Sequence, residues 1–120
     1  MIRNPLMWLI LCLSTHPMQA IALEEIGAEI LDTCMSEQQA LKGNASAGIR
    51  YGLCLGYLKG VADTLNGKAF CIPETGETAI VTQQLKQTYI AYASNHKNKL
   101  RRPALQTVVP AFRQAFPCRR

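Results

Sequence analysis

The cysteines constrain this chain more than any other residue type. Five are present, and the first, Cys12, falls in a segment that reads as a removable leader. Arg3 supplies a charged start, Leu6 to Leu13 is an apolar run without a charge, and Ala20-Ile21-Ala22 is an A-x-A cleavage site. Residues 1–22 are therefore expected to be a secretory signal peptide, with the mature chain starting at Leu23. The apolar run falls short of the ~20 residues that a bilayer span needs, so no stable membrane span is expected after cleavage. Cys34, Cys54, Cys71 and Cys118 remain, and an even count in an exported chain predicts two disulfides. No two of them stand at C-x-x-C spacing and only His96 is left to assist, so neither a metal nor a cofactor is expected.

Helical periodicity runs through the rest. Leu23, Ile26, Ile30, Leu31 and Cys34 recur at three- and four-residue steps over residues 23–39, with acids in the early turns, where the helix dipole favours them, and Gly43-Asn44 as a stop. Ser46 is positioned to cap a second helix that reaches Asn66, with Ile49, Leu53, Tyr57, Val61 and Leu65 on one face and Gly67 past its end. Phe70-Cys71-Ile72-Pro73 reads as an extended link. A third helix starts at Thr75 or Thr78 and runs to Asn95 with Val81, Leu85, Tyr89 and Tyr92 as its stripe. A polar, basic loop separates it from a fourth, from Pro103 to Phe116, that turns Leu105, Val108, Val109 and Phe112 inward and is expected to kink at Pro110. Residues 23–120 thus form one domain, an all-α, disulfide-stapled small bundle of about four helices.

Within the second helix Gly48, Gly52, Gly56 and Gly60 stand four residues apart. Interior helix glycines cost ~1 kcal/mol each relative to alanine, so the row needs a reason. It makes a side-chain-free groove, which either lets another helix of the same chain approach closely or receives a second copy or a partner. The cysteine pairing follows from the first hairpin. Cys34 and Cys54 are equidistant from Asn44, so in an antiparallel helix pair they lie at one height, and the glycine row would help the backbones close. Cys34–Cys54 with Cys71–Cys118 is the preferred set, and Cys34–Cys71 with Cys54–Cys118 the alternative. The preferred bridges close loops of roughly 20 and 50 residues, each worth ~3–4 kcal/mol in the chain-entropy model.

The formal net charge is +5 and it is polarised. Glu24, Glu25, Glu29, Asp32 and Glu37 open the mature chain without a base among them; Lys97, Lys99, Arg101, Arg102, Arg113, Arg119 and Arg120 close it without an acid. Such asymmetry points to an acidic partner surface or anionic envelope polymers, against the plainer reading of two solvated faces. Catalytic signals are thin: His96 has no serine, cysteine or aspartate partner pattern around it, bridged cysteines are not nucleophiles, and no glycine-rich phosphate loop is present. Asp63, Glu74 and Glu77 read as caps and surface charges rather than as an acid–base pair, and export argues against nucleic acid. No enzyme is expected.

The run Cys54-Leu-Gly-Tyr-Leu-Lys-Gly-Val-Ala-Asp63, then Phe70-Cys71-Ile72-Pro73-Glu74, Pro103-Ala104 and Ala115-Phe116-Pro117-Cys118, led by Leu31-x-x-Cys34, resembles in order and spacing the Rap/Tai family of type VI secretion system amidase immunity proteins. The resemblance spans nearly the whole mature chain. It implies a helical periplasmic protein, often a homodimer, that binds a peptidoglycan amidase effector delivered by a neighbouring cell and occludes its active site without doing chemistry. The shared residues look structural, so the binding surface does not transfer by motif. From the residues themselves, the candidate is the basic loop of Asn95, His96, Lys97, Lys99, Arg101 and Arg102. The competing reading is a general periplasmic binding or chaperone-like module with no cognate amidase.

Overall fold

The computed structural model describes residues 25–74 and 77–119; the leader and its cleavage site lie outside them. The fold is all-helical: α1 (Gly27–Cys34), α2 (Glu37–Leu41), α3 (Ala45–Leu65), α4 (Thr78–Asn95) and α5 (Leu105–Ala115), with a 3-10 turn at Lys97–Lys99. Among the described residues no helix is long and apolar enough to cross a membrane.

The single helix expected over residues 23–39 is interrupted at Met35-Ser36. Thr33 Oγ1 donates to the Ile30 carbonyl at 2.7 Å and Ser36 Oγ to the Asp32 carbonyl at 3.2 Å. Such back-bonding competes with the helix ladder, and the chain tightens there, with Ser36 N on the Thr33 carbonyl at 3.2 Å. The cap of α3 is Asn44 rather than Ser46: the Asn44 side chain accepts from Ala47 N at 3.0 Å, after Gly43 has turned the chain at φ +89°.

α1 and α2 pack along α3, and α4 lies between α3 and α5. The core gathers Ile30, Leu58, Phe70, Leu85, Tyr89, Val108 and Phe112, with Phe70 edge-on to Phe112 at a centroid separation of 5.3 Å. Both bridges have the pairing that the hairpin argument favours: Cys34–Cys54 with Cα atoms 5.0 Å apart and Cys71–Cys118 at 4.8 Å. Between them the 66–74 link is held by Asn66 Oδ1, which accepts from Ile72 N at 2.8 Å. Pro110 lies inside α5, which runs on to Ala115.

The face that α3 buries matches the expected one only in its second half, where Val61 is buried and Tyr57 and Leu65 pack against the core. Ala47, Cys54, Leu58, Val61 and Ala62 point inward, whereas Ile49 and Leu53, the leading residues of the expected stripe, are 69% and 60% exposed. Both faces of α3 are apolar, and periodicity alone does not choose between them. The bridge at Cys54 does.

Among the described residues one charged side chain is buried. Lys86 of α4 is 4% exposed and pairs with Glu37 of α2. Tyr51 of α3 completes the cluster: its hydroxyl donates to Glu37 Oε1 at 3.0 Å and accepts from Lys86 Nζ at 3.3 Å and Gln83 Nε2 at 2.9 Å. Desolvation alone would depress the Lys86 ammonium, but the Glu37 and Tyr51 hydrogen bonds outweigh it and hold its pKa above the usual range. The Lys86 hydrogen bond, with help from Tyr51, holds the Glu37 carboxyl below its ordinary value of 4.5. The sign follows from linkage: the Glu37 contribution is complete above its ordinary pKa and is lost as pH falls through the lowered folded value, while that of Lys86 is lost as pH rises through its raised value. Glu37→Gln is expected to cost about 1–2 kcal/mol at pH 7, below the range for a sealed pair because Glu37 is partly solvated. It should also flatten the acid limb of stability; urea titrations from pH 3 to 7 read both effects.

Candidate partner-binding surface

The basic loop is built from the main chain. α4 ends at Asn95, whose Nδ2 returns to the Ala91 carbonyl at 3.0 Å. The His96 ring stacks on Tyr92 at 3.9 Å, and its Nδ1 donates to the Tyr92 carbonyl at 2.7 Å. That bond places a proton on Nδ1 and leaves Nε2 as the acceptor of the neutral ring. The 3-10 turn follows, and Leu100 plugs into the core at 8% exposure. Beyond it the loop carbonyls take up the free amides that open α1: Gly27 N donates to the Arg102 carbonyl at 3.0 Å and Ala28 N to that of Leu100 at 2.9 Å. Ala104 N donates in turn to the Glu25 carbonyl at 2.7 Å.

Beneath this seam lies a buried hydroxyl pair. Tyr89 and Thr107 are both 0% exposed. Tyr89 has one hydroxyl proton, which goes to the Gly27 carbonyl at 2.9 Å. Thr107 Oγ1 lies 3.0 Å from the Tyr89 oxygen and 2.8 Å from the Ala104 carbonyl, and donates to one of them. Burial pushes the Tyr89 phenol up, so it stays protonated. The space is full at Gly27, where an added Cβ would meet Thr107 Oγ1 at 2.7 Å and its Cγ2 at 2.9 Å. Sequence reasoning missed Gly27 and Thr107. Neither carries a periodicity signal, because both are small residues whose role is set by a helix that crosses them.

On this base Lys97, Arg101 and Arg102 are exposed and Lys99 is half-buried. Among the described residues the ion pairs are Asp32–Arg50, Lys59–Asp63 and Glu37–Lys86. Glu29 reaches back from the first turn of α1 and accepts from Ile26 N at 3.1 Å. Asp32, Glu37 and Asp63 are thus matched within α1–α4, and the loop cations enter no ion pair among the described residues. The structure brings the candidate loop residues into one short stretch.

The glycine row sits elsewhere. Gly48, Gly52, Gly56 and Gly60 are exposed, and a Cβ built on any of them meets nothing within 4 Å. The row therefore does not bring the first hairpin together, and among the described residues no close packing accounts for it. Instead it floors an open apolar surface, two shallow depressions of about 300 and 430 Å³ that share Gly56 and Tyr57. Leu53 borders one and Leu105 the other. Among the described residues no group of three or more His, Cys, Asp or Glu is placed to hold a metal.

A stapled helical domain with a rigid cationic loop and an open apolar helix face has the form of a binding protein. The family model of the Rap1a immunity proteins matches residues 26–118, and the chain belongs to that family. Comparison with curated proteins and with solved structures brings no match. Gly27→Ala is expected to cost about 1–3 kcal/mol through overpacking against Thr107. Gly48→Ala on the open face should instead be neutral or stabilising by up to ~1 kcal/mol; chemical denaturation of the two variants side by side checks the contrast.

Proposed function

We propose that the protein is an exported, periplasmic immunity protein that binds a peptidoglycan amidase effector of a type VI secretion system and blocks its active site by occlusion. The family match over residues 26–118 carries this reading. Two disulfides, one in the core and one near the surface, support export, in keeping with the leader expected over residues 1–22. Inhibition by covering a cleft needs no catalytic residue on the inhibitor. It needs a surface that keeps its shape, because ordering a loop on binding costs affinity.

The basic loop meets that need. Its backbone is pinned by main-chain hydrogen bonds to α1, so Asn95, His96, Lys97, Lys99, Arg101 and Arg102 are offered from a fixed frame. Their charge suits an acidic rim around the effector cleft, and unmatched charge of this kind acts first on the rate of encounter. Lys97→Glu with Arg101→Glu and Arg102→Glu is expected to slow association with the cognate amidase at least tenfold and to weaken its salt dependence. Surface plasmon resonance at two ionic strengths measures this, with any amidase found to be encoded beside this gene as the ligand. Absence of any complex with that amidase, and of protection from it in cells, would sink the assignment.

The open face of α3 supports a homodimer as the resting form. Exposed interior glycines cost stability and meet nothing within the chain. A second α3 laid across Gly52 and Gly56 would use the bare backbone and cover Ile49 and Leu53. Gly56→Ala should then separate two readouts. Thermal stability of the dilute chain rises or holds, while the dimer dissociation constant, from analytical ultracentrifugation, weakens about tenfold.

A further inference from the structure

The two bridges occupy opposite surroundings. Cys34 and Cys54 are sealed in the core at 1% and 0% exposure. Cys71 is half-buried and Cys118 is exposed, on the non-helical stretch that follows α5. Thiol–disulfide exchange requires a thiolate to reach one of the two sulfurs, so access decides which bridge reacts. Solvent meets Cys118 with the fold intact, but meets the core pair only after α1 lifts away from α3.

Charge acts in the same direction. Arg113 holds its guanidinium on the Ala69 carbonyl, Nε to oxygen 3.2 Å, two residues before Cys71, and Arg119 follows Cys118 in the chain. Nearby positive charge stabilises a departing thiolate and speeds its loss. The corner also has holds that do not depend on sulfur. Cys71 N donates to the Phe116 carbonyl at 2.8 Å, and Phe70, the preceding residue, is fully buried against Phe112. The link therefore keeps its seat when the sulfur–sulfur bond is cut.

We propose that Cys71–Cys118 is a thiol-exchange site, opened and reclosed on the folded protein by a dithiol, while Cys34–Cys54 is inert to the same reagent. One dithiol sulfur, as thiolate, attacks Cys118 Sγ; a mixed disulfide forms, and Cys71 leaves as a thiolate that takes up a proton. The second dithiol sulfur, deprotonated, displaces Cys118, which is protonated in turn. The dithiol ends as a cyclic disulfide, having given two electrons and two protons to the cysteine pair. Reclosure is the reverse, with a cyclic disulfide as oxidant. A bridge of this kind is corrected after the helices have docked, without loosening the core.

The test uses the purified, oxidised mature protein with dithiothreitol as the dithiol at neutral pH. Samples are quenched with iodoacetamide at intervals, mapped by mass spectrometry and followed by far-ultraviolet circular dichroism. Cys71 and Cys118 are expected to be alkylated about a hundredfold faster than Cys34 and Cys54, with the helical signal unchanged at that stage. Equal rates, earlier labelling of Cys34 and Cys54, or loss of helix together with the first bridge overturns the proposal. A Cys71→Ser, Cys118→Ser double variant is the second arm. It should stay helical with a slow core bridge; if it unfolds, or if its Cys34–Cys54 bridge opens as fast as the outer bridge of the parent, the proposal fails.

Discussion

The Cys34–Cys54 bridge sets the rotation of α3, and the surface of the molecule follows from that angle. α3 is apolar on more than one side, so burial free energy alone is nearly indifferent to which side faces in. A covalent tie from the last turn of α1 to the middle of α3 removes the choice. Cys54 and Leu58 turn to the core and the glycine row turns out. The outward aspect of α3 is thus a consequence of one sulfur–sulfur bond.

Two polar clusters then fix what the apolar core does not. Tyr89 and Thr107 join α1, α4 and α5 under the basic loop, and Lys86, Glu37 and Tyr51 join α2, α3 and α4 at another junction. Each lies where three helices meet, a place that side chains of regular shape fill poorly. Directional bonds are stringent there: a hydroxyl or ammonium with its partners displaced is costly in a dry interior. They hold the helices in one register where Leu or Val contacts would tolerate several. Among the described residues no buried side-chain polar atom lacks a hydrogen-bond partner, so neither cluster is half-built.

Much of this architecture is legible in the sequence, for local reasons. Helix ends are written in Gly43-Asn44, in Gly67 and in Pro117, because turns are decided within a few residues, although the cap of α3 falls on Asn44 and not on Ser46. The bridge pairing is readable because hairpin symmetry turns sequence distance into height. What is not readable depends on residues far apart meeting. The interruption at Met35-Ser36 needs two hydroxyls to compete with the ladder at once. Lys86 looks like a surface residue until Glu37 of α2 is brought to it across α3. The glycine row announces itself plainly but does not say which way it faces, since that depends on the bridge. The basic loop could be named as a candidate, but its rigidity could not, because the amides that hold it belong to α1, some seventy residues away in the chain.

The loop's anchoring has a consequence for how such a protein diversifies. Leu100 and Arg102 hold α1 through their carbonyl oxygens, and a carbonyl is common to every residue type. Leu100 alone must also fill a hole in the core. The side chains at 97, 101 and 102 can therefore change in size and charge while the scaffold beneath them is untouched. Side-chain identity at these three positions is uncoupled from folding, so the charge that the loop presents can vary without each change having to be rescued elsewhere.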